Sequence, residues 1–342
     1  MRRMSHSIAR AVTHAIFWMS ILSVPACALD STQLAVIINT ADPLSVQIGN
    51  YYAAQRHILF QNMIKVDFRP GQSALTRHEF DTLKASIDRQ TLPNVQAYAL
   101  TWAAPYRVDC MSITSAITFG FDLGFCAEGC KTTRRSAYFN SSAQMPFAQL
   151  HIRPSMSIAA TSFAQAKALI DRGVLADGSH PAAAAYLLTT TDKVRNVRSN
   201  MYPLVERMLG NSPVRARRLD QDELRDASDV LFYFTGKEHV AGLQTLHFVP
   251  GAIADHLTSF GGMLTDSPQM SALRWLEAGA TGSYGTVAEP CSITQKFPNP
   301  LVVIAHYLQG ETLIEAYWKS VAMPGQGIFV GEPLAAPFRR KR

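Results

Sequence analysis

The chain has 342 residues, of which 47% are hydrophobic and 17% are charged, and its formal net charge is +6. This composition supports a sizeable core and excludes a disordered chain. Much of the positive charge lies at the two ends, in Arg2, Arg3 and Arg10 and in a basic tail over residues 339–342. Because the body of the chain is near neutral and has no internal basic stripe, we expect no nucleic-acid partner.

The first 28 residues have the pattern of an export signal. A positive stretch through Arg10 leads into an apolar run that ends in Ala26, Cys27 and Ala28, a small-x-small cleavage site. We therefore expect cleavage after Ala28 and a periplasmic or extracellular protein. The run up to Cys27 also resembles a lipoprotein box, so lipid anchoring at Cys27 is the less favoured alternative. No later segment is long and apolar enough to cross a bilayer, so we expect no transmembrane span after signal removal.

Four further cysteines follow the signal: Cys110, Cys126, Cys130 and Cys291. An even number outside the cytoplasm favours two disulfides, and three connectivities are possible. We favour Cys126–Cys130, because a glycine between them permits a tight bend, and this choice leaves Cys110 to pair with Cys291. A metal site at Cys126 and Cys130 would need two more ligands nearby, so no metal and no cofactor is expected.

Residues 29–180 read as a first α/β half. Buried strands are predicted at 34–39, 63–68 and 95–102, and amphipathic helices at 44–56 and 75–87. Asp42 followed by Pro43 is a typical helix start. Residues 111–180 form an irregular insertion, with one helix predicted at 163–172.

Residues 181–338 repeat this plan as a second half. Strands are predicted at 184–190, 214–219, 230–234, 246–249 and 279–285, and helices at 201–209, 222–227, 252–260 and 268–277. Strands that alternate with helices predict an α/β fold of two Rossmann-like halves with mostly parallel sheets.

The glycine-rich run 279–285 marks one candidate site. Glycine at this density indicates that the backbone approaches something closely or adopts positive φ. Glu289 and Cys291 follow at once, and they are candidates for a general base and, as a thiolate, a nucleophile. The alternative, which we favour for Cys291, is a structural disulfide.

A second candidate site is the segment 255–259. In the predicted helix, Asp255, His256 and Ser259 share one face, and they supply the acid, imidazole and hydroxyl of an activated nucleophile. The favoured alternative is a plain helix N-terminus with Asp255 in its first turn. His239, shortly after the predicted strand 230–234, is a further candidate imidazole.

Across nearly the whole mature chain, the sequence resembles a family of secreted bacterial proteins found in genomes that encode the exosortase protein-sorting system. No activity is established for that family. The resemblance implies at most a link to surface protein sorting. Its blocks lie at 36–39, 51–56, 104–107, 255–259, 279–290, 315–317 and 331–334.

More remotely, the second half resembles the gingipain and caspase type of cysteine peptidase. Residues 234–236 stand where that type places its His-Gly pair, and residues 250–252 stand where the cysteine is expected. The resemblance therefore implies the fold without the usual catalytic pair. We expect a non-peptidase relative that binds a peptide or other ligand in a cleft at the carboxyl ends of the strands. The alternative is a hydrolase, of peptidase or acyl-transfer type, with a non-standard site. Its catalytic residues would come from His239, Asp255, His256, Ser259, Glu289 and Cys291.

Overall fold

The computed structural model describes residues 28–340. The predicted signal peptide up to Cys27, the lipidation alternative at Cys27 and the last two residues of the basic tail lie outside the described residues. Strands and helices alternate along the described chain, which confirms the predicted α/β class. Within residues 28–340, no helix is both long and apolar enough to cross a membrane.

Ten strands form one large sheet. In chain order they are β1 (Leu34–Asn39), β2 (Met63–Val66), β4 (Ala97–Leu100), β7 (Ser155–Ser157), β8 (Ala184–Thr189), β9 (Arg215–Asp220), β10 (Val230–Gly236), β11 (Phe248–Leu257), β12 (Gly282–Thr286) and β13 (Gly327–Gly331). Three short strands form a separate sheet: β3 (Ala74–Leu75), β5 (Arg107–Val108) and β6 (Met111–Ser112).

Nine α-helices accompany these strands in the described chain. They are α1 (Pro43–Arg56), α2 (Arg77–Gln90), α3 (Ile113–Phe119), α4 (Pro146–Leu150), α5 (Phe163–Ala176), α6 (Tyr202–Leu209), α7 (Leu273–Ala278), α8 (Pro300–Leu308) and α9 (Leu313–Ser320). The predicted start of α1 is confirmed, because the Asp42 carboxylate accepts a hydrogen bond from the Leu44 N–H and Pro43 opens the helix.

The large sheet consists of two parallel blocks that run in opposite directions. Its order is β2-β1-β4-β7-β13-β12-β11-β10-β8-β9. All neighbours are parallel except β12 and β13, which pair antiparallel through Gly282 opposite Gly331. The strands of the two predicted halves therefore share one sheet. The carboxyl ends of the two blocks lie at opposite edges of that sheet.

Both faces of the sheet are buried. On β10, Phe232 and Phe234 belong to the main hydrophobic core, whereas Tyr233 belongs to a second core around Trp275. Successive side chains of a strand point to opposite faces, so Tyr233 lies on the face opposite to Phe232 and Phe234, and both faces of β10 are covered.

The predicted helix over 252–260 is wrong, because residues 252–257 belong to strand β11 and residues 258–260 follow it as irregular chain. A strand buried on both faces reads as a continuous apolar run, which periodicity alone does not distinguish from a buried helix. The short helix predicted at 222–227 is also absent from the described structure, where these residues form bends and irregular chain.

The favoured disulfide pairing is wrong as well. Cys110 is bonded to Cys126, and Cys130 is bonded to Cys291. Cys126 faces the core while Cys130 is exposed, so the four-residue spacing does not bring these two side chains together. The Gln326 side chain lies beside the second bridge, where its amide donates to the carbonyls of Ala127 and Glu289 in the two cysteine segments.

Candidate functional site

Asp255 and His256 are neighbours on β11, so their side chains point to opposite faces of the sheet. The Asp255 carboxylate lies 2.6 Å from the Arg198 guanidinium, and both side chains are 1% exposed. Arg198 also donates to the carbonyls of Thr235 and Pro298. Burial raises the pKa of Asp255, and the charge of Arg198 opposes that rise. This pair is a buried ion pair within the core and does not orient His256.

His256 has both ring nitrogens occupied. The Trp275 indole N–H donates to Nδ1 at 2.9 Å, and Nε2 lies 3.1 Å from the Met270 carbonyl oxygen. Because an indole N–H is only a donor, Nδ1 is the acceptor and Nε2 carries the proton. Burial lowers the pKa of His256 to about 3. The imidazole is therefore neutral at physiological pH and has no free nitrogen with which to accept a proton.

The other predicted catalytic residues lie apart from this imidazole. Ser259 is half-buried just after β11. The His239 side chain is 65% exposed and has Glu238 as its nearest carboxylate, 3.9 Å away. The Glu289 carboxylate accepts from the Cys291 N–H at 2.7 Å, and Cys291 is bonded to Cys130. Glu289 and Cys291 are thus together, but Cys291 carries no free thiol.

The glycine-rich run is confirmed as a place of close backbone approach. A Cβ on Gly285 would lie 2.3 Å from the backbone of Gly261, and one on Gly282 would lie 2.7 Å from the Leu313 side chain. The density of glycine therefore allows other parts of the chain to pack on β12. The partner in these contacts is protein.

The closing block 331–334 is also structural. The Arg56 guanidinium makes two hydrogen bonds to the Glu332 carboxylate, at 2.8 and 2.6 Å. Its third contact is with Asp177. Glu332 follows β13 and Arg56 ends α1, so the ion pair joins two distant parts of the chain at one edge of the sheet.

A cavity of about 270 Å³ lies between α5, α7 and the chain that leaves the carboxyl end of β7. Its walls are mostly small or apolar, and the lining residues are Ala159, Ala160, Ala164, Gln165, Ala168, Leu169, Arg172, Leu273, Leu276 and Glu277. Ala164 and Ala168 are exposed, so the cavity opens to solvent along α5. Its volume is near the lower end of the range for small-molecule sites.

Arg172 is the basic side chain of this cavity. Its Nε donates to the Ala280 carbonyl at 3.2 Å, and its Nη2 donates to the carbonyls of Leu276 and Ala280 at 2.6 and 2.9 Å. Among the described residues, Nη1 has no hydrogen-bond acceptor and no carboxylate lies within 4 Å of the guanidinium. Burial lowers the pKa of Arg172 to about 10. This half-buried cation therefore differs from Arg56 and Arg198, each of which has a carboxylate partner.

The carboxylate that shares the cavity does not neutralise Arg172. Glu277 pairs instead with Arg274, at 2.8 Å on the exposed side of α7. Sequence reasoning predicted the helix that carries Arg172 but not this site. One signal was present, since Ala164, Ala168 and Arg172 follow one another at intervals of four and so share a helical face. Within residues 28–340, no group of three or more His, Cys, Asp or Glu side chains is placed to hold a metal ion.

Comparison with known proteins gives remote structural similarity. No family model matches the sequence, and no curated protein matches it. Among solved structures, one protease is similar with a TM-score of 0.46 and 10% identity, over 90% of this chain and 79% of that one. The complex of the pro- and mature domains of gingipain RgpB from Porphyromonas gingivalis is similar with a TM-score of 0.47 and 9% identity. That match covers 89% of this chain and 79% of the gingipain chain.

Proposed function

We propose that this is an exported ligand-binding protein, and that its ligand is a small molecule or chain end with an apolar body and one carboxylate. The observation that carries this proposal is the Arg172 guanidinium, which faces an apolar cavity without a carboxylate partner. The guanidinium is half-buried and is held only by backbone carbonyls, so a negative charge beside it would form a stronger, charge-assisted hydrogen bond. A ligand carboxylate at Nη1 would supply the missing partner.

The shape of the cavity supports an apolar body for this ligand. Four alanines and three leucines line it, so its surface offers little hydrogen bonding apart from Arg172, Gln165 and Glu277. Transfer of an apolar group from water to such a surface is favourable by roughly 25 cal/mol per Å². The Arg172 contact would then fix the orientation of the ligand, because a guanidinium binds a carboxylate directionally.

Binding is favoured over hydrolysis by the state of the predicted catalytic groups. The His256 imidazole has no free nitrogen, and Cys291 is in a disulfide. Two disulfides form and persist in oxidising compartments, which supports a location outside the cytoplasm. A link to surface protein sorting is proposed only from the sequence resemblance.

The binding proposal is tested by titration with matched carboxylate and amide ligands. Hexanoate represents a free organic acid, and N-acetyl-leucine represents the end of a peptide. N-acetyl-leucinamide has the same apolar body without the charge. We expect the carboxylates to bind in calorimetry or NMR titration and the amide to bind about 10- to 100-fold more weakly, because a charged hydrogen bond contributes about 1.5–3 kcal/mol. Preference between the two carboxylates distinguishes an organic acid from a peptide terminus.

Two variants and one control locate the site. Arg172→Met should lose the preference for carboxylate over amide, and Ala168→Phe should block the cavity at an exposed position without loss of stability. Lys167→Met is the matched control, because Lys167 lies on the same helix α5, is exposed, pairs with Asp171 and does not line the cavity. Equal binding of acid and amide, or equal losses in Arg172→Met and Lys167→Met, would refute the proposal.

A further inference from the structure

A buried cluster of charged side chains lies on α8 and α9, away from the cavity. Glu311 is 7% exposed, Glu315 is 1% exposed and Lys319 is fully buried. The Lys319 ammonium donates to Glu311 at 2.7 Å, and His306 Nδ1 lies 3.1 Å from the same carboxylate oxygen. The Lys319 ammonium and the His306 ring thus both face Glu311.

Glu315 is held differently. Its Oε2 accepts from the N–H and the hydroxyl of Thr312, at 2.9 and 2.6 Å, in the capping box that starts α9. The same oxygen accepts from the backbone N–H of Leu29 at 3.1 Å. Within the described chain, no basic side chain forms an ion pair with Glu315. Burial raises the pKa of Glu315 and the charge of Glu311 adds to that rise, whereas the hydrogen bonds from Thr312 and the more distant charge of Lys319 oppose it.

The Lys319 ammonium is thus the ionic partner of Glu311, whereas no basic side chain of the described residues forms an ion pair with Glu315. His306 contacts Glu311 and so does not supply the partner of Glu315. Burying a carboxylate without a cation is energetically costly. A cation beside Glu315 would therefore stabilise its ionised form.

Leu29 is the residue that meets Glu315 from outside the cluster. It is 1% exposed and belongs to the main core, so its position is fixed by packing. Its N–H contacts the Glu315 carboxylate, and its carbonyl accepts from the Arg339 guanidinium at 2.5 Å. The export pattern of the sequence predicts cleavage between Ala28 and this same Leu29 nitrogen.

We infer that Leu29 is the first residue of the mature protein and that its α-ammonium group is the buried ionic partner of Glu315. A signal peptidase and one water molecule would break the Ala28–Leu29 amide bond, leaving a carboxylate on Ala28 and an ammonium on Leu29. The new positive charge would lie on the nitrogen that is 3.1 Å from the Glu315 carboxylate. Because Ala28 is itself buried in the folded chain, the cleavage precedes folding. Export processing thus completes the core, independently of the proposed ligand site.

The first test is the N-terminus of the exported protein, read by intact mass and N-terminal sequencing. We expect the chain to begin at Leu29. A chain that begins at lipidated Cys27, or at any other residue, would overturn the inference, since the Leu29 nitrogen would then remain an uncharged amide.

The second test couples processing to Glu315. Glu315→Gln is made in the chain that begins at Leu29 and in a chain with two alanines before Leu29. The urea denaturation midpoint should fall markedly in the first chain, where the variant leaves the ammonium unpaired. The midpoint should change little or rise in the second chain, where the variant removes a buried carboxylate that has no ionic partner.

Glu79→Gln is the matched control for this test, because Glu79 forms the same capping box with Thr76 on the exposed helix α2, away from any chain end. Its effect should be equal in both chains. Equal effects of Glu315→Gln in both chains would refute the ion pair. If Glu315→Gln does not fold, the rate at which the Leu29 α-amine is acetylated provides the test in the unaltered protein. This rate should be lower in the native protein than in urea, and equal rates would refute the inference.

Discussion

Lowering the pH tests the environment of His256 directly. Its pKa is about 3 in the folded protein, against 6.5 for the free side chain. Between these two values the unfolded chain binds a proton that the folded protein does not bind. The contribution of His256 to stability is therefore fully present above pH 6.5 and is lost as the pH falls from 6.5 towards 3.

The size of this loss follows from the pKa difference. Each pH unit below 6.5 costs about 1.36 kcal/mol, so a change from about pH 7.5 to about pH 5 should remove about 2 kcal/mol. Buried carboxyl groups such as Asp255, whose pKa is raised by burial, change stability in the opposite direction. A variant that lacks only the imidazole is needed to isolate the His256 contribution.

The assay is urea denaturation at both pH values for the unaltered protein, His256→Gln and His239→Gln. Glutamine keeps one donor and one acceptor but does not titrate, so His256→Gln should lose about 2 kcal/mol less than the unaltered protein between the two pH values. His239 is exposed, so His239→Gln should behave as the unaltered protein does. Identical pH dependence in all three proteins would refute a buried, neutral His256.

Two further predictions concern the core and the cross-links. Asp255→Leu should destabilise the protein by about 3–5 kcal/mol, because it leaves the Arg198 charge buried and unpaired. The double variant with Arg198→Met should cost less, and a double-variant loss equal to the sum of the single losses in urea denaturation would contradict the ion pair. Cys130→Ser should cost about 2–5 kcal/mol, since it opens a link across 161 residues. Digestion without reduction should yield peptides joined through Cys110–Cys126 and Cys130–Cys291, and a peptide with an internal Cys126–Cys130 bond would show that the pairing is wrong.

The first half of the fold was predictable because its signals are local. Residues 34–38 are continuously apolar, and the Asp42–Pro43 pair marks where the next helix begins. Local signals failed at 252–260, where β11 is buried on both faces and carries Asp255 and His256 inside the core. Both polar side chains obtain partners from other elements, Arg198 and Trp275, that the sequence does not place beside them.

The candidate site was not predictable, since it is defined by the absence of a partner for Arg172. Whether a lysine or arginine is paired depends on tertiary contacts, here on Glu277 turning to Arg274. The disulfide connectivity also depends on tertiary contacts, because the Cys130 and Cys291 segments are distant in sequence and meet beside Gln326. Sequence spacing predicted the helix that carries Arg172 and the four cysteines that form disulfides. It did not predict which other residues these side chains contact.

The opposed directions of the two strand blocks separate the candidate sites. In a fully parallel sheet, ligands bind at the one edge where all strands end. Here β7 and β13 end at the edge where β12 begins, so Ala159 after β7 and Ala280 before β12 meet at the cavity of Arg172. Ser259 and His239 follow the ends of β11 and β10 at the opposite edge. Arg172 and Ser259 therefore lie at opposite edges of the sheet, and variants at the two edges test the binding and the hydrolase hypotheses separately.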